Sequence, residues 1–345
     1  MRATRAAADA PTVTGPAGLS AALLLIADSR LPAGGHAHSG GAEEAVRIGA
    51  IAAPEDLARF LRGRLATAGL VAAALAAASC RLAAALATRP GSPGRSAARP
   101  PGPHGPAAAG HPAAGRPAAG HPAAGRPAAG HAAAAEPAAP QGGAVGREWR
   151  KLDAEADART PSPAQRAASR TQGRLLVRTA RRIWPSAVLD GLAAAVPDGA
   201  HHPVALGAAC AAAGCSPREA ALAAAYNSVT GPATAAVRLL GLDPVTVHRL
   251  LADLAPELDG TAAEAVAAVD ACVRGPGPPG SPWPDAPAGR APAPGAEPGP
   301  ARDGGNGAPR DRTSFAWAAL PSWGAPALDL LAEGHLRREV RLFVS

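Results

Sequence analysis

The stretch SAALLLIADSRLPAGGHAHSGGAEEAV, residues 20–46, decides how the chain begins to fold. It opens with an apolar run, and Pro32 biases the residue before it towards an extended conformation, so we expect the first helix to stop near Arg30. The glycines that follow permit backbone angles closed to other residues. A second helix is expected after them, with Glu43 and Glu44 in its first turn, where the helix dipole favours negative charge. The stretch therefore predicts a helix, a rigid loop and a second helix.

The composition of the remaining chain favours an all-α domain. Aromatic residues make up only 3% of the 345 residues, so the core must be built mostly from Ala, Leu and Val, which suit closely packed helices. Apolar residues recur at helical spacing from Pro54 to about Arg89, and a capping box with Pro at the first helical position follows Ser216. We expect one helical-bundle domain of about ten helices over residues 19–345, after a disordered lead at 1–18.

Two segments differ abruptly from the rest in composition. Residues 90–146 and 275–312 are rich in Pro and Gly, with too few large apolar side chains to offset their ordering entropy, so both are expected to be disordered insertions. The first contains a five-residue repeat in which Gly-His-Pro-Ala-Ala alternates with Gly-Arg-Pro-Ala-Ala. Its histidines suggest metal binding, but ten residues of polyproline-like chain span roughly 31 Å, so a passive linker is favoured.

Glycine and proline punctuate the second half of the chain. A long helix is expected to end at Trp184-Pro185, and shorter helices follow from residue 204 onward. Gly231-Pro232 is expected to separate two of them, because proline lacks the backbone donor that a helix interior needs. A further helix is expected at 261–273.

The long helix carries an arginine at every fourth position. This arginine row consists of Arg166, Arg170, Arg174, Arg178 and Arg182. Like charges at this spacing repel by about 0.2–0.5 kcal/mol per pair. Two interpretations stay open: either acidic side chains from residues 147–159 fold back over the row or water solvates it, or the row is a docking surface for an acidic partner.

The charge and cysteine content limit the classes of function. The formal net charge is +7, and nearly all positive charge is arginine, because Lys151 is the only lysine. Nucleic-acid binding is disfavoured, since no recognition motif is present and aromatic residues for base stacking are scarce. We find no apolar stretch of about 18 residues and expect no membrane span.

The four cysteines lack the spacing of a metal site or a disulfide framework. They are Cys80, Cys210, Cys215 and Cys272. We therefore interpret them as buried small hydrophobic residues of a protein in a reducing compartment. The weaker alternative is that the chain begins with a signal peptide.

The sequence lacks the common catalytic motifs. A phosphate-binding loop is missing because Lys151 follows Arg150 rather than glycine, and no zinc-protease, nucleophile-elbow or calcium-loop motif occurs. His36, His38 and Ser39 are close in sequence, but no carboxylate is placed to orient a base. We therefore expect no enzyme, no catalytic residue, no metal site and no cofactor, and favour a helical scaffold that binds other proteins.

Four motifs, in their order along the chain, resemble the UreF family of urease accessory proteins. They are Leu31-Pro32-Ala33-Gly34-Gly35 with Ser39, Gly41 and Glu43; Ala168-Ser169-Arg170 with Gly173-Arg174; the helices from His202 to Leu240; and His335 with Arg341-Leu342-Phe343 and Ser345. The chain departs from the family after the first glycines, where many members carry aromatic residues and this chain has His36 and His38. Ala42 stands where leucine is common, and both insertions look like additions of this chain.

The resemblance implies an all-α, cytoplasmic, non-enzymatic scaffold that forms a homodimer. Such a scaffold binds UreD, also called UreH, recruits the nickel-carrying GTPase UreG and serves nickel delivery to the urease apoenzyme. The resemblance also suggests partner-binding residues: Gly34, Gly35, His36, Ser39 and Glu43 near the loop, Arg170, Arg174 and Arg178 on the arginine row, and Arg337, Arg338, Arg341 and Phe343 in a tail that would become ordered on UreD. The alternative is a histidine-rich protein that binds or stores nickel.

Overall fold

The computed structural model describes residues 20–28, 31, 38–88, 143–274 and 315–343, and these ranges contain helices and no β-strand. The predicted all-α fold is therefore confirmed. The helices are α1 (Ala21–Ala27), α2 (Ala42–Arg47), α3 (Pro54–Arg64), α4 (Leu70–Ala87), α5 (Ala144–Ala158), α6 (Pro163–Ile183), α7 (Ala187–Ala195), α8 (His202–Ala212), α9 (Pro217–Leu240), α10 (Pro244–Asp253), α11 (Ala255–Arg274) and α12 (Pro326–Leu336). A π-helical turn, Leu65–Gly69, joins α3 to α4.

Several predicted boundaries differ from the structure. The lead at 1–18 and nearly all of both insertions lie outside the described residues. The first insertion ends earlier than expected, because α5 already begins at Ala144. Helix α11 begins at Ala255 rather than at 261, and α7 is a helix that we did not predict.

Helix α4 lies at the centre of the bundle and packs against α8, α9 and α11. Small side chains let these helices approach closely, as the composition predicts. At the crossing with α8, a Cβ on Gly207 would lie 2.1 Å from the carbonyl oxygen of Ala76, so the two backbones are in direct contact. The hydroxyl of Ser79 donates a hydrogen bond of 2.6 Å to the carbonyl oxygen of Val204 at the same crossing. Glycine is therefore needed at 207 for steric reasons.

The segment Pro54–Ala87 corrects the prediction that no apolar stretch of membrane-spanning length exists. By length and composition it is long and apolar enough to cross a membrane, and its best 18-residue window has a mean hydropathy of 1.9. The structure buries 72% of that window inside the protein. A core helix surrounded by other helices is hydrophobic on all sides for the same reason as a membrane helix, because neither faces water.

Helix α9 runs without interruption through Pro232, so the predicted break at Gly231-Pro232 is wrong. Proline has no N–H to donate to the carbonyl four residues earlier, which here belongs to Ser228. Nε of Arg64 donates to that carbonyl oxygen at 2.8 Å and replaces the missing backbone bond. The surroundings desolvate the Arg64 guanidinium and lower its pKa to about 10, which leaves it charged at neutral pH. A side chain from α3 therefore keeps α9 continuous.

The predicted capping box at the start of α9 is confirmed, and it also holds the beginning of α1. The Glu219 carboxylate accepts the backbone N–H of Ser216 at 2.7 Å and that of Ser20 at 2.6 Å. Burial by itself would raise the pKa of Glu219, but these hydrogen bonds outweigh it and lower the pKa to about 2. The ionised carboxylate therefore links two helices that lie about 200 residues apart in sequence.

The low pKa of Glu219 predicts a pH-dependent contribution to stability. Because the folded-state pKa lies below the usual 4.5, the stabilisation is fully present above pH 4.5 and is lost as the pH falls towards about 2. We expect Glu219→Gln to lower the free energy of unfolding by about 1 kcal/mol at pH 7 and by progressively less below pH 4.5. Urea unfolding across this pH range measures the difference. Glu264→Gln, on an exposed position of α11, is the control and should show no such trend; a constant deficit for Glu219→Gln would contradict the linkage.

Candidate functional site

Residues Ser39, Gly40 and Gly41 lead into helix α2 through two left-handed backbone conformations. Gly40 has φ +59° and Gly41 has φ +91°, which a residue with a side chain rarely adopts. Arg64 donates from Nη1 to the carbonyl oxygen of Gly40 at 2.8 Å, with the same side chain that supports Pro232. The end of the loop is thus tied to α3 and α9. Gly34, Gly35 and His36 lie outside the described residues, so the partner contacts expected of them stay predictions.

Two residues predicted to bind partners at this end of the loop are buried. Ser39 is fully buried and Glu43 is 7% exposed. Both carboxylate oxygens of Glu43 accept backbone hydrogen bonds from the tail, at 2.8 Å from Leu342 N–H and at 3.1 Å from Phe343 N–H. The Glu43 carboxylate, which the sequence places near the N-terminal dipole of α2, therefore also binds the backbone of the tail. We did not foresee this contact, which joins residues 300 positions apart.

The tail is further held by His335 of α12 and by the side chain of Phe343. Nε2 of His335 lies 3.3 Å from the carbonyl oxygen of Phe343, and its ring is 2% exposed. Phe343 is 8% exposed and belongs to the core. The structure thus places the tail as far as Phe343 on its own chain, whereas we expected it to become ordered on a partner. A partner could reach the Phe343 ring only after the tail leaves this position.

A second acid of α2 binds the basic part of the tail. Glu44 accepts two hydrogen bonds from Arg47, at 2.9 and 2.5 Å, and an oxygen of Glu44 lies 3.6 Å from Nη1 of Arg338. The hydrogen bond from Arg47 lowers the pKa of Glu44, and this outweighs the effect of burial. Arg338 therefore has an intrachain partner, while Arg337 and Arg341 are exposed.

Several aliphatic side chains close to these two arginines in sequence are exposed, and we call this group of residues the tail surface. It comprises Leu330, Leu336, Arg337, Val340, Arg341 and Leu342. Each of its four aliphatic side chains is more than half exposed, and Val340 reaches 79%. Exposed aliphatic side chains are candidates for protein contacts where they form a contiguous patch. The combination of apolar and basic groups suits an apolar partner surface with acidic groups at its edge.

The first half of the arginine row is bound inside the protein. Arg166 donates to carbonyl oxygens in the connection between α5 and α6, those of Thr160 and Pro161. Arg170 donates to Asp153 at 2.9 Å and to Asp157 at 2.7 Å. For Arg170 the acids of the preceding stretch fold back over the row, which is the first of the two open interpretations. Its guanidinium group already has acceptors, so any role in partner binding stays a prediction.

The second half of the row has fewer intrachain acceptors. Arg174 donates to the carbonyl oxygen of Asp198 at 2.6 Å and to the hydroxyl of Thr171 at 3.1 Å. Arg178 and Arg182 are exposed, and neither has a hydrogen bond or ion pair to another residue in the described part of the chain. Their charges are therefore available to an anionic group from outside.

The Arg170 cluster also contains a serine, a histidine and an aspartate in contact. Ser169 Oγ lies 3.1 Å from Nδ1 of His201, and Nε2 of His201 lies 2.8 Å from Oδ1 of Asp157. The order resembles that of a nucleophile, a base and an orienting acid. However, the His201 ring is 1% exposed, and Ser169 Oγ accepts the backbone N–H of His202 at 3.0 Å. Substrate cannot reach the base, so the cluster joins α5, α6 and the start of α8 as a structural network.

A large cavity of about 1,670 Å³ lies between α4, α6, α9 and α12. His38 and His202 line it, and burial, helped by the nearby His38, lowers the pKa of His202 to about 4, so this imidazole is neutral at physiological pH. A neutral imidazole is the form that binds metal ions. Among the described residues, however, no group of three or more His, Cys, Asp or Glu side chains is placed to hold a metal ion.

Sequence reasoning missed Arg64 and His201 as organising residues, whereas Asp153 is among the acids that were expected to fold back over the arginine row. Arg64 could have been suspected, because it follows Leu57 and Leu61 on the apolar stripe of α3, where a charged residue is unexpected. No local pattern marks His201, because its partners Ser169 and Asp157 come from other helices.

The sequence is similar to that of urease accessory proteins over most of its length. The sequence profile of the UreF family matches residues 118–255. The urease accessory protein UreF of Mycolicibacterium vanbaalenii is 42% identical over 245 residues, which cover 71% of this chain and 85% of that protein. The UreF of Mycobacterium sp. strain JLS is 40% identical over 247 residues, covering 70% and 83%. The UreF of Mycobacterium tuberculosis is 34% identical over 247 residues, covering 72% and 85%.

Proposed function

Because the chain belongs to the UreF family of urease accessory proteins, we propose that it is a scaffold for urease maturation, which binds UreD (UreH), recruits the GTPase UreG and serves nickel delivery to the urease apoenzyme. Its role is accessory and not enzymatic. The observation that carries the proposal is the match to urease accessory proteins over 85% of the length of the first relative.

We assign the tail surface to the contact with UreD. Support comes from its exposed leucine and valine side chains and from the exposed guanidinium groups of Arg337 and Arg341. In this proposal Glu43 and Phe343 act indirectly, because their contacts fix the position of the tail without facing the partner. Arg338 contributes in the same way through Glu44.

The remaining assignments follow from the family and from the position of the loop. We place the UreG contact at the loop that contains Gly34, Gly35 and His36, whose end at Ser39 is fixed by the surrounding helices. The scaffold acts as a homodimer within the complex. We also place it in the cytoplasm, and the four cysteines support this, because all of them are buried free thiols, as expected of a protein in a reducing compartment.

The test is co-purification of the full chain with UreD and UreG homologues. We expect Arg337→Glu/Arg341→Glu to reduce the recovery of UreD at least about tenfold, because each reversal places a like charge opposite the acidic groups of the partner. The double variant Arg238→Glu/Arg249→Glu makes the same change in net charge on exposed positions of α9 and α10 and should bind UreD normally. Equal recovery from all three proteins would remove the tail surface from the interface.

The function itself is tested in a strain that lacks the gene. Urease should remain largely without nickel when the metal is scarce, and full metallation in that strain would refute the proposed role.

One observation favours a second candidate function, the binding or storage of nickel. The repeat in the first insertion supplies regularly spaced histidines, all outside the described residues. Deletion of residues 90–141, which leaves α5 intact, separates the two functions. If the protein stores nickel, the deletion should remove most nickel binding. If it is a scaffold, the shortened protein should still support urease activation.

A further inference from the structure

We propose that the cleft between helices α6 and α7 binds a carboxylate-rich helical segment of a partner protein. The cleft has a volume of about 540 Å³ and is separate from the tail surface and from the loop before α2. The inference depends on the proposed function only in placing that partner within the urease assembly.

Four arginines of the last turns of α6 form one wall of this cleft. They are Arg174, Arg178, Arg181 and Arg182. Asp190 is the one acidic residue among the described residues that line the cleft, and it is already paired with Arg181 at 2.6 Å. Arg174 is held by the Asp198 carbonyl oxygen, as described above. The cleft therefore has an excess of positive charge, concentrated on Arg178 and Arg182.

A single surface arginine without a partner is common and needs no functional explanation. Here the two unpaired arginines stand one helical turn apart, so their charges repel each other, and they share a concave surface. Apolar side chains form the floor of the cleft, among them Val177, Leu192 and Val196. An apolar floor lowers the local dielectric constant and so strengthens the attraction of the arginines for an anion.

The spacing of the arginines favours a helix over other anionic ligands. Arg174, Arg178 and Arg182 follow at intervals of four residues, which is about 6 Å along a helix with a rise of 1.5 Å per residue. A partner helix with Glu or Asp at every fourth position presents carboxylates at the same interval. Apolar residues beside those acids would face the floor. A row of separate charges suits several carboxylates better than one phosphate, which needs its donors to converge on a single point.

The experiment measures binding of a synthetic 16-residue helical peptide to the purified full chain by fluorescence anisotropy. The peptide carries Glu at every fourth position with Leu beside it, and its counterpart has Gln in place of each Glu. We expect the Glu peptide to bind at least about tenfold more tightly than the Gln peptide, with an affinity that falls as salt is added.

Arg178→Glu/Arg182→Glu should weaken binding of the Glu peptide at least about tenfold, whereas the control double variant Arg238→Glu/Arg249→Glu should stay within about twofold of the unmodified chain. All four positions are exposed, and circular dichroism melting checks that both variants fold. Unchanged binding by Arg178→Glu/Arg182→Glu would overturn the proposal, and so would equal losses in both double variants. If inorganic phosphate or a single-stranded oligonucleotide binds the cleft more tightly than the peptide, the carboxylate assignment is wrong.

The peptide experiment contains no urease component. Its failure would therefore leave the role in urease maturation standing, and a failure of that role would leave the peptide result unchanged.

Discussion

Replacing Gly207 with alanine is expected to destabilise the protein by about 3 kcal/mol, the upper end for inserting one methyl group into a packed core. The added Cβ would lie 2.1 Å from the Ala76 carbonyl oxygen and 2.6 Å from Ser79 Cβ. Two helices would have to move apart to relieve this overlap. Helix α4 cannot shift easily, since it packs against α9 and α11 on its other sides.

Gly63 of helix α3 provides the matched control for this substitution. A Cβ at this position meets nothing within 4 Å, and the residue is exposed. Gly63→Ala should therefore stabilise the protein by up to about 1 kcal/mol, because alanine favours the helical backbone. Urea unfolding of both variants measures the two free energies. If the two substitutions changed stability in the same direction, α4 and α8 could not be in direct backbone contact.

Replacing Asp153 with alanine is expected to cost about 3 kcal/mol, because it removes the acceptor at the centre of a buried network. The carboxylate of Asp153 is nearly buried and accepts from Arg170 at 2.9 Å and from the backbone N–H of His201 at 2.8 Å. Alanine would leave both donors short of an acceptor. Loss of this contact would loosen α8 from α5 and α6, and since α8 packs on α4, the effect should reach the whole bundle.

An exposed ion pair serves as the control for Asp153. Asp259 lies 3.3 Å from Arg218, and both side chains are more than half exposed. Asp259→Ala should cost less than about 1 kcal/mol, because water and salt screen such pairs. Thermal and urea unfolding compare the two variants. A loss for Asp153→Ala no larger than that for Asp259→Ala would mean that the network contributes little to holding the helices together.

Local patterns were sufficient to predict the class of fold and several helix ends. The capping box at Ser216 and the end of α6 before Pro185 both depend on residues within one or two turns of each other. The burial of all four cysteines also followed from their surroundings in the sequence. These features need no distant partner, which is why the sequence displays them.

The sequence was misleading where a distant side chain overrides a local rule. Pro232 should end a helix, but Arg64 supplies the donor that proline lacks, from a position 164 residues away from the carbonyl it binds. The apolar run of α4 has the composition of a membrane helix, and only its neighbours show that it is a core helix.

Patterns along the chain are enough to assign an all-α fold built from small residues and membership of the UreF family. Contacts between distant helices fix which charged groups are used inside the protein and which face outward. Glu43 holds the tail, Arg170 is bound by two aspartates, and Arg178 and Arg182 remain exposed in a cleft. The difference arises because helix formation depends on neighbours three or four residues apart, which a sequence shows directly. Whether a charged side chain is paired inside the protein depends on the groups within about 4 Å of it in space, and those groups come from helices far away along the chain.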